Sequence, residues 1–305
     1  MNKFPQIPSA LILGAFLALQ SGCEHPKPAV PDHIVIAIME NRSQAEIIGA
    51  SDAPYITGLA SDDHAAVFTQ SFGVEHPSQP NYFDLFAGSN QGVGDDDVPK
   101  NQPYTSDNLG RELLDQGLTF VTYSEDLPGV GSNDSESGAY RRKHNPIADW
   151  MGTGKNQVPD SLNQPFTAFP SDFTKLPTVS YVVPNQNNDM HDGTIAMGDT
   201  WIRDHMNAYI QWAKTHNSLF IITWDEDDHT AGNNIPTIFE GQMIRPGKYD
   251  EPITHFSVLR PSRICTIFAT QIPPRWQNQF RMCGASKFHY ISSSAVSVTF
   301  SLPPS

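Results

Sequence analysis

The stretch His33-Ile34-Val35-Ile36-Ala37-Ile38-Met39, followed directly by Glu40-Asn41, decides the fold class. From Ile34 to Met39 every residue is apolar and none alternates with a polar one, the pattern of a strand covered on both faces. Such strands belong to parallel sheets packed between helices, where ligands gather at the carboxyl ends of the strands. Glu40 and Asn41 are therefore placed where chemistry is expected; the plain alternative is a polar strand terminus with Asn41 in a turn. Two further runs repeat the pattern. Thr178 to Val183 (TVSYVV) leads into Pro184-Asn185-Gln186-Asn187-Asn188-Asp189-Met190-His191-Asp192-Gly193, and Ser218 to Trp224 (SLFIITW) delivers Asp225-Glu226-Asp227-Asp228-His229. Four acids this close repel one another in water, which a bound cation relieves. A solvated acidic turn would need no cation.

Between these runs the spacing predicts strands over Ala65 to Phe72, Thr119 to Tyr123 and Ile235 to Phe239. It predicts helices over Asp52 to Ala60, over Asn108 to Gln116 with Gly117 as the stop, and over Asp199 to His216. In the last of these Ile202, Met206, Tyr209 and Ala213 form one apolar stripe, and Asp199 is the expected cap. The expected architecture is a single α/β domain: a mostly parallel central sheet with helices on both faces.

Glu75-His76-Pro77-Ser78-Gln79-Pro80-Asn81-Tyr82 follows the Ala65 to Phe72 run and precedes the amphipathic Tyr82 to Ala87, closed by Gly88. Strand, turn, helix is the implied order. It puts Ser78 at or just before a helix N-terminus, where free N–H groups and the dipole favour an anion. Two roles are open for its hydroxyl: an N-cap, or a nucleophile toward a phosphate.

With 305 residues the chain has room for one large domain and a sizeable core. Its formal charge of -14 argues against a nucleic-acid backbone as partner, though not against a phosphate ester whose site carries a metal. Residues 1–22 read as a signal peptide, with Lys3 before the apolar Ala10 to Leu19. Small residues before Cys23 point to lipidation there, with ordinary cleavage as the alternative, so the expected location is extracytoplasmic and any membrane contact runs through Cys23. Residues 23–32 read as a Pro-rich tether. Cys265 and Cys283 could form one disulfide but no framework. The acidic loop Gly94-Asp95-Asp96-Asp97 reads as a solvated turn, and Arg141-Arg142-Lys143 as a solubilising cluster.

Pro77-Ser78-Gln79-Pro80-Asn81-Tyr82, with Ala87-Gly88-Ser89 after it, resembles the nucleophile segment of the alkaline phosphatase superfamily, in which a Ser or Thr followed by Pro-Asn attacks phosphorus. The closer resemblance is to the phosphoesterase family of acid phosphatases and phospholipases C. Its other motifs appear in order: Met39-Glu40-Asn41, Tyr123-Ser124-Glu125-Asp126, His144-Asn145-Pro146, Asp189-Met190-His191-Asp192, Trp224-Asp225-Glu226 and Thr254-His255-Phe256-Ser257. Together with the strand-end placement, this resemblance implies Ser78 as nucleophile and His191 as proton donor to the leaving group. It also implies His76, Asn81, His144 and Asp192 around the substrate, and Glu40, Asn41, Asp225 and Glu226 as metal ligands. One divalent ion is expected, and an oxygen-only set suits Mg, Ca or Mn better than Zn.

The implied function is metal-dependent hydrolysis of a small phosphate monoester through a phosphoserine, an acid phosphatase working below neutral pH with protonated histidines. A phospholipase C type of diesterase is the alternative, and a secreted acidic lipoprotein that binds a partner is the non-enzymatic one. The resemblance covers residues 33–260. Beyond it the family's usual Thr-Ile-Glu gives way to Pro261-Ser262-Arg263-Ile264-Cys265. Codons such as CCA TCG AGG ATC for this run would spell Thr-Ile-Glu one base out of step with a preceding A restored, so residues 261–305 read as a frameshifted tail, with plain divergence as the alternative.

Overall fold

A computed structural model describes residues 31–259. The expected signal peptide, Cys23 and most of the tether, and the 261–305 tail with Cys265 and Cys283, lie outside the described residues. An eight-stranded sheet runs in the order Gly247–Tyr249, Ala65–Phe68, Thr237–Glu240, Ser218–Trp224, His33–Met39, Val179–Val183, Phe120–Ser124, Asn163–Pro165. Thr237–Glu240 is antiparallel to both of its neighbours and the remaining pairs are parallel, as the unbroken apolar runs imply. Val35, Ala37 and Met39 enter one apolar layer while Ile36 and Ile38 enter the other, so the central strand is covered on both faces.

Register places the site. Met39 lies opposite Trp224, so Glu40 and Asp225 leave adjacent parallel strands side by side. The Val179–Val183 strand flanks the other edge of His33–Met39 and sends the Asp189 to His191 loop over the same end. On one face of the sheet the Ser78–Ala87 helix buries Tyr82, Phe83, Leu85 and Phe86, and Gly88 ends it in the left-handed conformation, φ 67°.

The expected Ala65 to Phe72 strand breaks into Ala65–Phe68 and Ser71–Phe72, the second of which pairs with Ile253–Thr254 outside the main sheet. The long helix begins a turn early, at Ile195, because Thr194 supplies the cap by accepting from the Met197 N–H. Asp199 therefore lies inside that helix, and its carboxylate caps a different one. It accepts from the backbone N–H of Tyr55 (3.1 Å) and Ile56 (2.8 Å), in the Pro54–Leu59 helix, whose own N-cap position is Ala53. The expected stripe of Ile202, Met206, Tyr209 and Ala213 is buried. Among the described residues no helix is long and apolar enough to cross a membrane.

The short His255–Leu259 helix closes the described chain, with His255 fully buried and its Nε2 3.0 Å from the Trp224 carbonyl. Burial pushes this imidazole down to about 4. The folded state thus keeps it neutral while the unfolded chain takes a proton at its ordinary value near 6.5, so stability is full above that value and falls as pH drops toward 4. The loss amounts to about 3 kcal/mol. Thermal melts of His255→Gln, which keeps a donor without titrating, are expected to lose this part of the acid limb; an unchanged acid limb would assign it to other groups.

Candidate active site

Each functional side chain arrives at the carboxyl end of the sheet by a separate route. Glu40 and Asn41 follow the central strand, and Asp225, Glu226 and Asp227 follow Ser218–Trp224. The 184–193 loop brings Asp189 and His191, a single helical turn at 142–144 brings His144, and Ser78 opens its helix. Pro77 occupies the N-cap position and has no side chain to cap with, so the Ser78 hydroxyl is free of a capping role. It donates instead to Glu40 Oε2 at 3.1 Å and contacts Glu226 Oε1 at 3.4 Å, and it is buried. Asp225 joins them: its Oδ1 accepts from the Asn41 N–H at 3.2 Å, and burial raises its carboxyl while hydrogen bonds, those with Glu40 and Ser78 among them, offset part of the rise. The structure therefore brings Ser78, Glu40, Asn41, Asp225 and Glu226 into one cluster.

Burial dominates the electrostatics. It raises Asp225 to about 7 and, together with the Asp225 charge, Glu226 to about 9. Burial, then the charges of Asp225 and Asp189, holds Glu40 well above its usual range, and Asp189 is raised by burial as well. Several buried carboxyls crowded round one hydroxyl are stable either with added protons or with a cation among them. Asn41 Oδ1 and Asp225 Oδ2 are buried without a hydrogen-bond partner, as oxygens left for an ion would be. Asn41 also holds φ 50°, which turns the chain sharply after the strand. Oxygen donors are of the type that a hard divalent cation prefers. Donor atoms of Glu40, His144 and His191 also lie within 4.8 Å of one another, a second group able to hold a metal.

The remaining expected residues divide. His191 has Nδ1 2.7 Å from Asp192 Oδ1 and 3.1 Å from Gln186 Nε2, leaving Nε2 toward the site. Asp192 is thus a partner of His191. His144 is buried between Glu40 Oε1 and Asp189 Oδ2, each 3.2 Å away, and stacks on Tyr82. Burial, then the Lys143 charge, pushes His144 well below the usual imidazole range, and burial, then His229, lowers His76. Both rings thus favour the neutral form. Asn81 holds the 74–77 turn, Oδ1 accepting from Val74 and Glu75 N–H at 3.0 Å each and Nδ2 donating to the Glu75 carbonyl at 2.8 Å, and Nδ2 also reaches Glu226 Oε2 at 3.5 Å. Its position is that of a brace for the turn before Ser78. His76 lies 2.7 Å from Glu226 Oε2 and packs on His229, centroids 4.0 Å apart.

Four contributors were not assigned from sequence. Tyr82 donates to Glu40 Oε1 at 2.7 Å; one turn after Ser78 on the same helix face, it was accessible to spacing. Asp189 sits two residues before His191 in a loop whose density of Asn, Asp and His was the signal. Asp96 and Lys143 were read as solvated. Instead Asp96 Oδ1 accepts from the Gln79 N–H at 3.0 Å and its Oδ2 from Lys143 Nζ at 2.8 Å. The free N–H groups expected at this helix start are therefore fewer: Asp96 holds Gln79, and Pro80 has none.

The phosphoesterase family model matches residues 50–268, so Glu40 and Asn41 precede the matched stretch. A phosphatidylinositol-3-phosphatase of Mycobacterium tuberculosis is 48% identical over 249 residues, covering 79% of this chain and 81% of that protein. An acid phosphatase of Aspergillus fumigatus is 30% identical over 216 residues, and a phosphate-repressible acid phosphatase of Penicillium chrysogenum 29% over 210. Each of these fungal matches covers 63% of this chain, which spans only about half of the relative, 46% and 50%. Among solved structures, a protein of the alkaline phosphatase superfamily from Vibrio parahaemolyticus superposes with a TM-score of 0.54 at 15% identity, over 79% of this chain and 68% of the other. At that identity it is the fold that is shared. The fold, the strand-end carboxylates and these relatives agree: the chain belongs to the phosphoesterase family and is a phosphoric ester hydrolase.

Proposed function

We propose that the chain hydrolyses phosphate monoesters in a metal-dependent reaction that passes through a phosphoserine at Ser78. One observation carries this reading: a buried hydroxyl at the start of a helix, within 3.4 Å of carboxyls from two separate strand ends. Glu40, Asn41, Asp225 and Glu226 would hold a hard divalent ion, Mg, Ca or Mn, whose charge favours ionised Ser78 and offsets that of the phosphoryl oxygens.

Ser78, 3.1 Å from Glu40 Oε2, gives up its proton to solvent, and its oxygen forms the bond to phosphorus as the bond to the alcohol breaks. His191 Nε2 gives a proton to the leaving alkoxide. In the second half the same nitrogen takes a proton from water, the hydroxide displaces Ser78 from phosphorus, and the released Ser78 oxygen takes up a proton from solvent. Asp192, on His191 Nδ1, fixes the tautomer that keeps Nε2 in this role. A groove lined by Glu75, His76, Asp227 and His229 opens beside Glu226 and offers room for the alcohol. The mycobacterial relative's name makes a 3-phosphorylated inositol lipid one candidate substrate. Residues 1–23 support placing the enzyme outside the cytoplasm.

Acid-quenching the enzyme during turnover of p-nitrophenyl phosphate and measuring intact mass is expected to give a single phosphoryl adduct, lost in Ser78→Ala. Turnover without any trapped adduct, at several quench times, would point to direct attack by water. Phosphatidylinositol 3-phosphate and phosphatidylcholine, assayed beside it, separate monoesterase from phospholipase C action.

A further inference from the structure

We propose that Lys143 binds the phosphoryl group of the substrate and biases the site toward a dianion, and that Asp96 is the positioning residue that holds it there. The inference rests on the monoesterase reading above and extends it to a residue read from sequence as part of a solubilising run.

Lys143 is only 16% exposed, where a solubilising lysine would be mostly in water. Its Nζ donates to Asp96 Oδ2 at 2.8 Å and lies 3.4 Å from His191 Nε2, the atom assigned above to the leaving group. An ammonium carries three donors. With one on Asp96 and one toward His191, a third is available to a ligand oxygen between them. The Lys143 charge also acts on Glu40, Asp189, Asp225 and Glu226, and its chain neighbour His144 lies 3.2 Å from Glu40 Oε1, the carboxyl whose other oxygen accepts from Ser78.

Asp96 ties this ammonium to the nucleophile. Its Oδ1 accepts from the N–H of Gln79, the residue after Ser78, so one carboxylate fixes both the helix start and Lys143. Gln79 returns the contact by donating its side-chain amide to the Asp95 and Asp97 carbonyls at 3.0 and 2.8 Å. The acidic loop is thus built onto the helix. A phosphate monoester near neutral pH carries close to two negative charges, because its second ionisation lies near 6, and a diester carries one. A fixed ammonium beside the metal site adds most to binding of the more highly charged group.

The test compares Lys143→Met, Lys143→Arg, Asp96→Asn and the Lys143→Met/Asp96→Asn double variant in the metal-loaded enzyme. Inorganic phosphate is the competitive inhibitor, and p-nitrophenyl phosphate and bis(p-nitrophenyl) phosphate are the substrates. Lys143→Met is expected to weaken phosphate inhibition and monoester kcat/KM by about 30- to 100-fold, with a several-fold smaller loss on the diester. Lys143→Arg keeps the charge and is expected to stay within about fivefold of wild type. Asp96→Asn is expected to cost about tenfold, and the double variant to be no worse than Lys143→Met, since Asp96 acts through Lys143. Lys143→Met with wild-type phosphate affinity, equal losses on both esters, failure of Lys143→Arg to retain affinity, or multiplying losses in the double variant would each overturn the inference. Lys143→Gln serves if Lys143→Met does not fold. Absence of a Ser78 adduct in wild type is a separate failure, that of the monoesterase reading.

Discussion

Ser78→Ala is expected to lower kcat/KM for p-nitrophenyl phosphate by about 10⁴- to 10⁶-fold, the range seen when a covalent nucleophile is removed and only binding and electrostatics remain. The structural cost is small by comparison. Ser78 is buried and its hydroxyl meets only carboxyl oxygens, so alanine removes one donor and leaves the helix start, held through Gln79 and Asp96, in place. Melting temperature is expected to stay near wild type and substrate still to bind, which separates loss of chemistry from loss of fold. Retention of more than about a hundredth of wild-type activity would move the nucleophile elsewhere. Tyr82, whose hydroxyl donates to the same Glu40, would then be the group to examine.

The fold was legible because its central strands are covered on both faces. Nothing polar interrupts His33–Met39 or Ser218–Trp224, and a strand end is a defined place, so the residues after each run could be assigned to the site without knowing the rest. Their adjacency follows from register, Met39 opposite Trp224, which pattern does not specify. What stayed illegible depends on long-range partners. Asp199 looks like a cap because it precedes an apolar stripe, yet it caps a helix some 143 residues away in sequence. Asp96 and Lys143, 47 residues apart, look like ordinary solvated charges, since composition cannot show which charge a neighbouring loop will bury. Asn81 belongs to a motif and so invites a role at the substrate, but pattern does not show that its amide also satisfies backbone groups of the turn before Ser78.

Stripping the divalent ion with a chelator is expected to reduce turnover by more than about 10³-fold, with recovery on adding back Mg, Ca or Mn, because the ion supplies charge stabilisation that no fixed side chain replaces. Asp225→Asn is expected to mimic this loss and to lower metal content measured on the purified protein, as Glu40→Gln would. Stability gives an independent readout, with a sign that can be worked out. In the metal-free protein Asp225 is raised to about 7, above its ordinary 3.8, so the folded state binds a proton that the unfolded state has already released. Its destabilising effect is absent below pH 4 and grows as pH rises from there to 7, reaching about 4 kcal/mol. Metal held on the ionised carboxylates removes that cost, and bound ion at a thousand times its Kd adds about 4 kcal/mol to the folded state. Chelation is therefore expected to lower the melting temperature strongly at pH 7 and only weakly at pH 5, where protons take the place of the ion among Glu40, Asp189, Asp225 and Glu226. A chelator effect that is equal at both values would mean that the ion sits away from these buried carboxyls, and full activity in metal-free enzyme would mean that Ser78 is activated by Glu40 and Glu226 alone.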